Sequence, residues 1–428
     1  MRRILATTLT LVLLLSLTLS GGAALAEQNI NIRIMTRWSD DSPFSVYWRE
    51  QVKKFNESGR GITIVDESLS DETAYLDKLR SQIATGTQPE IFIEYGGSRI
   101  IDYVEAGILV DVQPYLDADP EWKASFLSDT ATKWQFADYP GTFGVPCQFY
   151  SVFLYYNKEL LEKNGFDGPP ESFEDFRNMC QALLDNGQQP MTLGEKDVWR
   201  AGHFFNNLIM KSYGAQAVED LAARKLKYDG PEMLELYGII KEFNDKGYFG
   251  PNAVGVDVNT EDSDFLTGKT AMRFNGTWFI PQIVADYAGD LDNIGIARFP
   301  YIKEEYKESY QGGTAEAYSI SNREGTVEAS IEVVKYLTSQ DFFRGAEAYC
   351  KGGVYAVSFE SDPSVSIDHL TIDAKALLAE GKEFRDDVQT YDTESHMLDT
   401  VRAALQGLFI GNTPEQCGAE IVAKIQNK

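Results

Sequence analysis

The sequence predicts an α/β protein made of two α/β blocks, and three observations carry that expectation. Strand-like and helix-like periods alternate from residue 30 to residue 93. A second such block opens after the apolar run at 141–157, and 428 residues exceed a single domain of about 150. In order, Ile30-Asn31-Ile32-Arg33-Ile34 alternates with period two, as a half-buried strand does. Val46 through Phe55 carries apolar residues at helical spacing, and Gly59 and Gly61 separate it from a strand at Ile62-Thr63-Ile64-Val65. A helix from Tyr75 to Thr85 stops at Gly86, and Pro89 introduces the strand Ile91-Phe92-Ile93. Strand, helix, strand, helix, strand is the pattern of a parallel α/β sheet. Ligands of such sheets gather at the carboxyl ends of the strands, here Arg37-Trp38 and Glu94-Tyr95-Gly96-Gly97.

In the second block, Pro169-Pro170 marks a loop and Ser172 caps a helix running from Phe173 to Asn186. Glu174 and Asp175 in its first turn complement the helix dipole. Helical periodicity returns at 231–244 and 327–339, and the tail from His369 to Ile425 reads as amphipathic helices separated by Gly381, Gly411 and Pro414. No low-complexity linker appears, so crossing strands rather than a flexible tether are expected to join the blocks.

The first residues, MRRILATTLTLVLLLSLTLSGGAALA, place Arg2 and Arg3 before a short apolar run and the small-x-small pattern Ala24-Leu25-Ala26. That is a secretory signal peptide over 1–26, cut near Ala26. The run is too short and too interrupted for a membrane span. No cysteine near the cut offers a lipid-attachment site. The formal net charge is −26, which disfavours nucleic acid and anionic membrane as partners. Cys147, Cys180, Cys350 and Cys417 form no C-x-x-C. Export permits disulfides, and three complete pairings stand beside the alternative of free buried thiols. His203, His369 and His396 show no ligand spacing and read as surface or packing residues.

Motifs for chemistry are weak. Gly268-Lys269-Thr270 matches the tail of a phosphate-binding loop, but the first required glycine falls on Ser263, between Asp262 and Asp264. A turn leading into a strand is the better reading. Asp257, Asn259 and Glu261 resemble the start of a calcium loop, yet Asp262 replaces its turn glycine and Gly268 its final acid, which leaves a solvated acidic loop. Neither G-x-S-x-G nor H-E-x-x-H occurs, and nothing marks a pair of carboxylates for glycoside hydrolysis. No cofactor, metal or catalytic residue is expected. The informative excess is aromatic. Trp38, Tyr95, Tyr150, Trp199 and Trp278 stand at element ends beside polar or glycine residues. Each fits a core as well as a site. Together, in an exported acidic chain, they point to a ligand with apolar faces and hydroxyls, as a sugar has.

Six blocks then resemble, in order, the family 1 extracellular solute-binding proteins of ABC importers. They are TAYLDKLRSQIATGTQPEIF (73–92), AGILVDVQPYL (106–116), GVPCQFYSVFLYYNKELLEKNGFDGPPESFEDF (144–176), DFLTGKTAMRFNGTW (264–278), YQGGTAEAYSIS (310–321) and KGGVYAV (351–357). Two departures stand out: Glu90 replaces the usual aspartate, and Tyr355 stands where many members carry proline. The resemblance implies a two-lobed periplasmic-binding-protein fold of type II with a hinge of crossing segments. The N-terminal lobe would comprise 27–148 and 318–350, the C-terminal lobe 151–311 and 358–428, and the hinge would lie near 146–151, 312–318 and 350–358. It implies ligand contacts at Trp38, Glu94, Tyr95, Tyr150, Trp199, Trp278, Gly312 and Gly313, with Trp278 as the stacking ring. It also implies a monomer that binds a carbohydrate and serves an ABC permease from the periplasm or the outer face of the membrane. Two rivals remain: a non-sugar or acidic ligand, for which Arg37 or Arg385 would supply charge and Glu94 would favour a cation, and a carbohydrate-active enzyme.

Overall fold

A computed structural model describes residues 29–127, 130–136, 138–392 and 394–425, so the expected signal peptide lies outside it. The first block folds as its periods require. Strands β1 (Ile30–Met35), β2 (Ile62–Asp66) and β3 (Ile91–Glu94) pair in parallel in the order β2-β1-β3, with Ile32 opposite Ile64 and Ile34 opposite Ile91. The helix Pro43–Glu57 starts on a proline at its first turn and buries Tyr47, Trp48, Gln51, Val52 and Phe55, one stripe at i, i+4 spacing. The next helix begins at Glu72, earlier than its apolar period suggests, because the Asp71 carboxylate accepts from the Ala74 N–H at 2.7 Å and caps it.

The parallel pattern stops at β3. Its other neighbour is β7 (Ser309–Ile320), antiparallel with Ile91 opposite Ile320, and β7 pairs antiparallel with β4 (Val145–Asn157). β4 in turn carries β5 (Met272–Gly276) and β6 (Ile294–Ala297), both antiparallel, and β8 (Glu383–Arg385) lies parallel to the start of β7. The sheet is therefore mixed. β3 and β7 are joined through several helices and the strands β4, β5 and β6 rather than by a single βαβ crossover, so nothing forces them to run the same way. β4 and β7 are the long strands. One end of each pairs in the first block and the other in the second, and β4 has two register irregularities between Pro146 and Phe149 that bend it near its start.

Two large cores flank this bend. Ile34, Trp48, Phe92, Val145, Tyr318 and Val334 belong to the first, and Val152, Leu154, Phe176, Phe204, Ile240 and Val401 to the second. On β4, Phe153 and Tyr155 point away from Val152 and Leu154 into a smaller third core with Phe279, Ile283 and Ile294. The segment 350–358 touches both sides of the molecule. The Gly353 N–H donates to Thr371 Oγ1 at 2.9 Å, and Tyr355 stacks on Phe44 in the first core.

Two expectations need correction. The tail holds the helices His369–Glu380, Met397–Gly407 and Pro414–Val422, but 383–391 is not helical. β8 extends to pair with β7 there, and a 3-10 turn Val388–Tyr391 follows. Residues 257–264 are not a solvated acidic loop. Asp257 caps the helix Val258–Leu266, Glu261 is buried against Arg200 and Arg273, Asp262 meets Arg273, and Asp264 binds Lys269. Of the two readings open for His203, surface or packing, the structure shows packing. As expected, Gly268 (φ +74°) ends that helix and leads into β5. All four cysteines are free and buried, and among the described residues no helix is long and apolar enough to cross a membrane.

Candidate ligand-binding site

Tyr150, Trp199 and Trp278 converge where β4 and β7 pass between the cores. Trp278 stands in the turn Thr277–Phe279 directly after β5, and a Cβ on Gly276 would lie 2.1 Å from its ring. Glycine at 276 is what allows the indole to fold back over the strand end. Its ring centroid is 4.9 Å from that of Tyr150 and 6.3 Å from that of Trp199, and 41% of the residue is exposed. Trp199 leads into the helix Arg200–Tyr213 after Val198, whose φ of +67° is strained for a β-branched residue. His203, one turn along that helix, lies edge-on to Trp199 at 4.7 Å and parallel to Tyr150 at 6.2 Å. Burial drives its pKa down to about 3 despite Asp387 at 3.6 Å, so the ring is neutral at physiological pH.

Below the rings lie Asp386 and Asp387, just after β8. Asp386 accepts from Tyr150 Oη and Lys133 Nζ, and Asp387 from Arg402 and Asn206 at 2.6 Å each and from Gln311 at 3.2 Å. Burial and the Asp387 charge keep the Asp386 carboxyl above its ordinary range even with Lys133 beside it. For Asp387, burial acts upward too and is the largest single effect, but Arg402, His203 and Lys133 together outweigh it and the pKa falls. Gly312 and Gly313 on β7 sit opposite Ser151 and Tyr150. A Cβ on Gly312 would lie 2.4 Å from the Tyr150 carbonyl oxygen, and Gly313 has φ +135°. Gly312 lets the two crossing strands approach and Gly313 takes a backbone angle that favours glycine; neither offers a side chain.

The first block presents the opposite wall. Tyr95 donates to Glu72 Oε1 at 3.0 Å, and the guanidiniums of Arg37 and Arg99 lie 5.3 and 5.0 Å from its ring centroid. Arg37 also donates to Glu316 on β7 and pairs with Glu72 at 3.5 Å. Burial raises the Glu72 pKa, yet Arg37 and then Arg402, from the other wall, outweigh it and hold it low. Glu94 is buried and accepts from the Tyr95 N–H at 2.9 Å; burial raises its pKa. Trp38 does not join this site. It is 7% exposed and packs edge-on against Phe44, Trp48 and Tyr318 in the first core. On the residues around these groups, Glu316 Oε2, Asn206 Oδ1, Arg99 Nη1, Arg402 Nε and Gln389 Nε2 are buried polar atoms with no hydrogen-bond partner. Such atoms cost about 1–3 kcal/mol each when left so. They offer both donors and acceptors.

The model of the family described as bacterial extracellular solute-binding protein matches residues 41–341. The chain belongs to that family. The solute-binding protein is 25% identical to the maltotriose-binding protein of Pyrococcus abyssi over 264 residues, 61% of this chain and 53% of that protein. It thus spans about half the length of that curated relative. A protein of xylan utilization from Caldanaerobius polysaccharolyticus superposes with a TM-score of 0.83 at 22% identity, covering 93% of this chain and 100% of that one. A chitin oligosaccharide binding protein does so with 0.83 at 22%, covering 92% and 97%. The fold is therefore the two-lobed α/β architecture of these proteins.

Several polar residues of this solute-binding protein's site escape sequence reasoning. Lys133, Asp386, Asp387, Asn206 and Arg402 belong to no motif, and Lys133 and Asp386 meet across 253 positions of chain. His203 gave a signal only through its spacing of four from Trp199, on one helix face.

Proposed function

We propose that this chain captures a neutral sugar or oligosaccharide between its lobes and delivers it to the membrane permease of an ABC importer, without catalysis. The observation that carries the reading is the convergence of Tyr150, Trp199 and Trp278 above the Asp386–Asp387 pair. Ring faces suit the apolar face of a pyranose, and carboxylates beside them accept from its hydroxyls. Maltotriose and chitin oligosaccharide, bound by a relative and a structural neighbour according to their names, are ligands of that chemistry. The lobes we assign are 27–148 with 318–350 and 151–311 with 358–428, hinged near 146–151, 312–318 and 350–358. Ligand contacts are assigned to Tyr150, Trp199 and Trp278 on one wall and to Glu94 and Tyr95 on the other, with Gly312 and Gly313 shaping the strands between. The protein works as an exported monomer, and ligand shifts its population toward the closed form.

A charged ligand is less well supplied. Arg37 is engaged by Glu316 and Glu72, and Arg385 by Glu219 at 2.8 Å. Binding an acidic sugar would break one of these pairs. Thermal-shift measurements against a panel of neutral, acidic and amino saccharides test the reading. Ligand at about 100 times its dissociation constant stabilises by roughly 2.7 kcal/mol. A shift for a neutral saccharide is expected; a shift for an amine or peptide alone would overturn it, and release of a cleavage product would replace it with an enzyme.

A further inference from the structure

Two short turns, one from each lobe, meet beside the candidate site, next to Tyr95 on one side and to Asp386 on the other. Gly97–Arg99 follows β3 in the first lobe, and Val388–Tyr391 follows β8 in the second. Gly97, Ser98, Gln389 and Thr390 are all buried where they touch. Gly97 has φ +59°, and a Cβ there would lie 2.0 Å from the Thr390 carbonyl oxygen and 2.9 Å from its carbonyl carbon. No side-chain rotation relieves a backbone collision of that depth. Beside it, Ser98 Oγ donates to the Gln389 carbonyl at 3.4 Å, Arg99 pairs with Asp399 at 3.6 Å, and Ser395 Oγ reaches Asp102 at 3.4 Å. The Lys133–Asp386 pair also joins the lobes, but Lys133 Nζ donates to Thr314 of β7 at 3.3 Å as well. It sits at the pivot, where rotation changes distances little.

We propose that the Gly97–Arg99 and Val388–Tyr391 turns form a catch that holds the lobes closed through protein contacts alone, with the absent side chain of Gly97 as its fitting element. The inference rests on the reading of two lobes hinged at the crossing strands and not on the identity of the ligand. The catch sets the closed fraction, and apparent affinity scales with the fraction that is competent. Every ligand is therefore weakened by one common factor when the catch fails, whereas loss of a ring in the site weakens ligands unequally.

Small-angle X-ray scattering of the full mature chain, with no saccharide added, tests this. The wild type is expected to fit the closed shape, and Gly97→Ala to shift to a larger radius of gyration and maximum dimension. Gly107→Ala is the control. Gly107 has φ +68° in the same lobe with nothing within 4 Å of its Cβ position, so it carries the backbone strain without the collision and should scatter as wild type. Asp399→Lys, an exposed rim change opposite Arg99 and Arg80, keeps the test open if Gly97→Ala does not fold. It should open the lobes less, and salt should reverse it. Superimposable curves for wild type, Gly97→Ala and Asp399→Lys would overturn the catch. A failed saccharide panel would leave these curves unaffected, so the two readings fail separately.

Discussion

Arg200 and Glu261 form a fully buried ion pair beneath the aromatic cluster. The guanidinium donates from Nε and Nη2 to the two carboxylate oxygens at 2.9 and 2.7 Å, and its centre lies 4.8 Å from the Trp199 ring. Burial opposes the Glu261 charge, but Arg200 and Arg273 outweigh it and lower the pKa. Removing one member of such a pair strands the other in the interior. Glu261→Gln is expected to cost about 3–5 kcal/mol of unfolding free energy, read by urea denaturation. A loss under 1 kcal/mol would mean that the interior relaxes around Arg200.

Trp278→Ala should act on affinity instead. With 41% of the residue exposed, its truncation opens little interior volume. Loss of one stacking ring is expected to weaken a responding saccharide by about tenfold or more, near 1.4 kcal/mol, with the melting temperature of the unliganded protein nearly unchanged. Titration calorimetry and a melt on the same variant check both halves. Unchanged affinity would remove Trp278 from the site.

Trp38→Ala should show the reverse. Its ring is enclosed by Phe44, Trp48 and Tyr318, and truncating a buried tryptophan costs about 3–5 kcal/mol. The denaturation midpoint falls, and binding per folded molecule stays close to wild type. A large loss of affinity in protein that remains folded would put Trp38 back among the ligand contacts.

His203 imposes a pH dependence. Its folded pKa of about 3 lies below the ordinary 6.5, so below 6.5 the unfolded chain binds a proton that the folded one refuses. Stability is therefore complete above 6.5 and declines as pH falls from 6.5 toward 3, by up to about 1.4 kcal/mol per pH unit. His203→Gln should flatten the stability curve over that window. Parallel curves for variant and wild type would show that the histidine is protonated in the folded state.

The strand-and-helix order of residues 30–94 was legible because local periodicity decides it, as was the cap at Ser172, whose Oγ accepts from the Asp175 N–H at 3.2 Å. Trp199 and Trp278 were legible as aromatics at element ends, whereas Tyr150, read the same way, lies inside β4. Their polar partners were not, because an aspartate next to an aspartate looks solvated until Lys133, Arg402 and Asn206 arrive from distant parts of the chain. Trp38 was ambiguous for the related reason that a ring at a strand end faces either a ligand or a neighbouring helix. The helix Pro43–Glu57 decides that here by placing Phe44 and Trp48 against it. The stretch 383–391 failed because β8 is three residues long and owes its extended form to β7.

The shared strand β7 has a consequence for how the chain is made. β3 gains its second neighbour only when Ala317–Ile320 arrives, with Ile91 waiting for Ile320. A chain emerging from the ribosome thus holds parallel strands with an open edge through most of synthesis, and non-local pairing of this kind closes slowly. The sheet of the first block therefore cannot close before residue 320 of the 428 has been made.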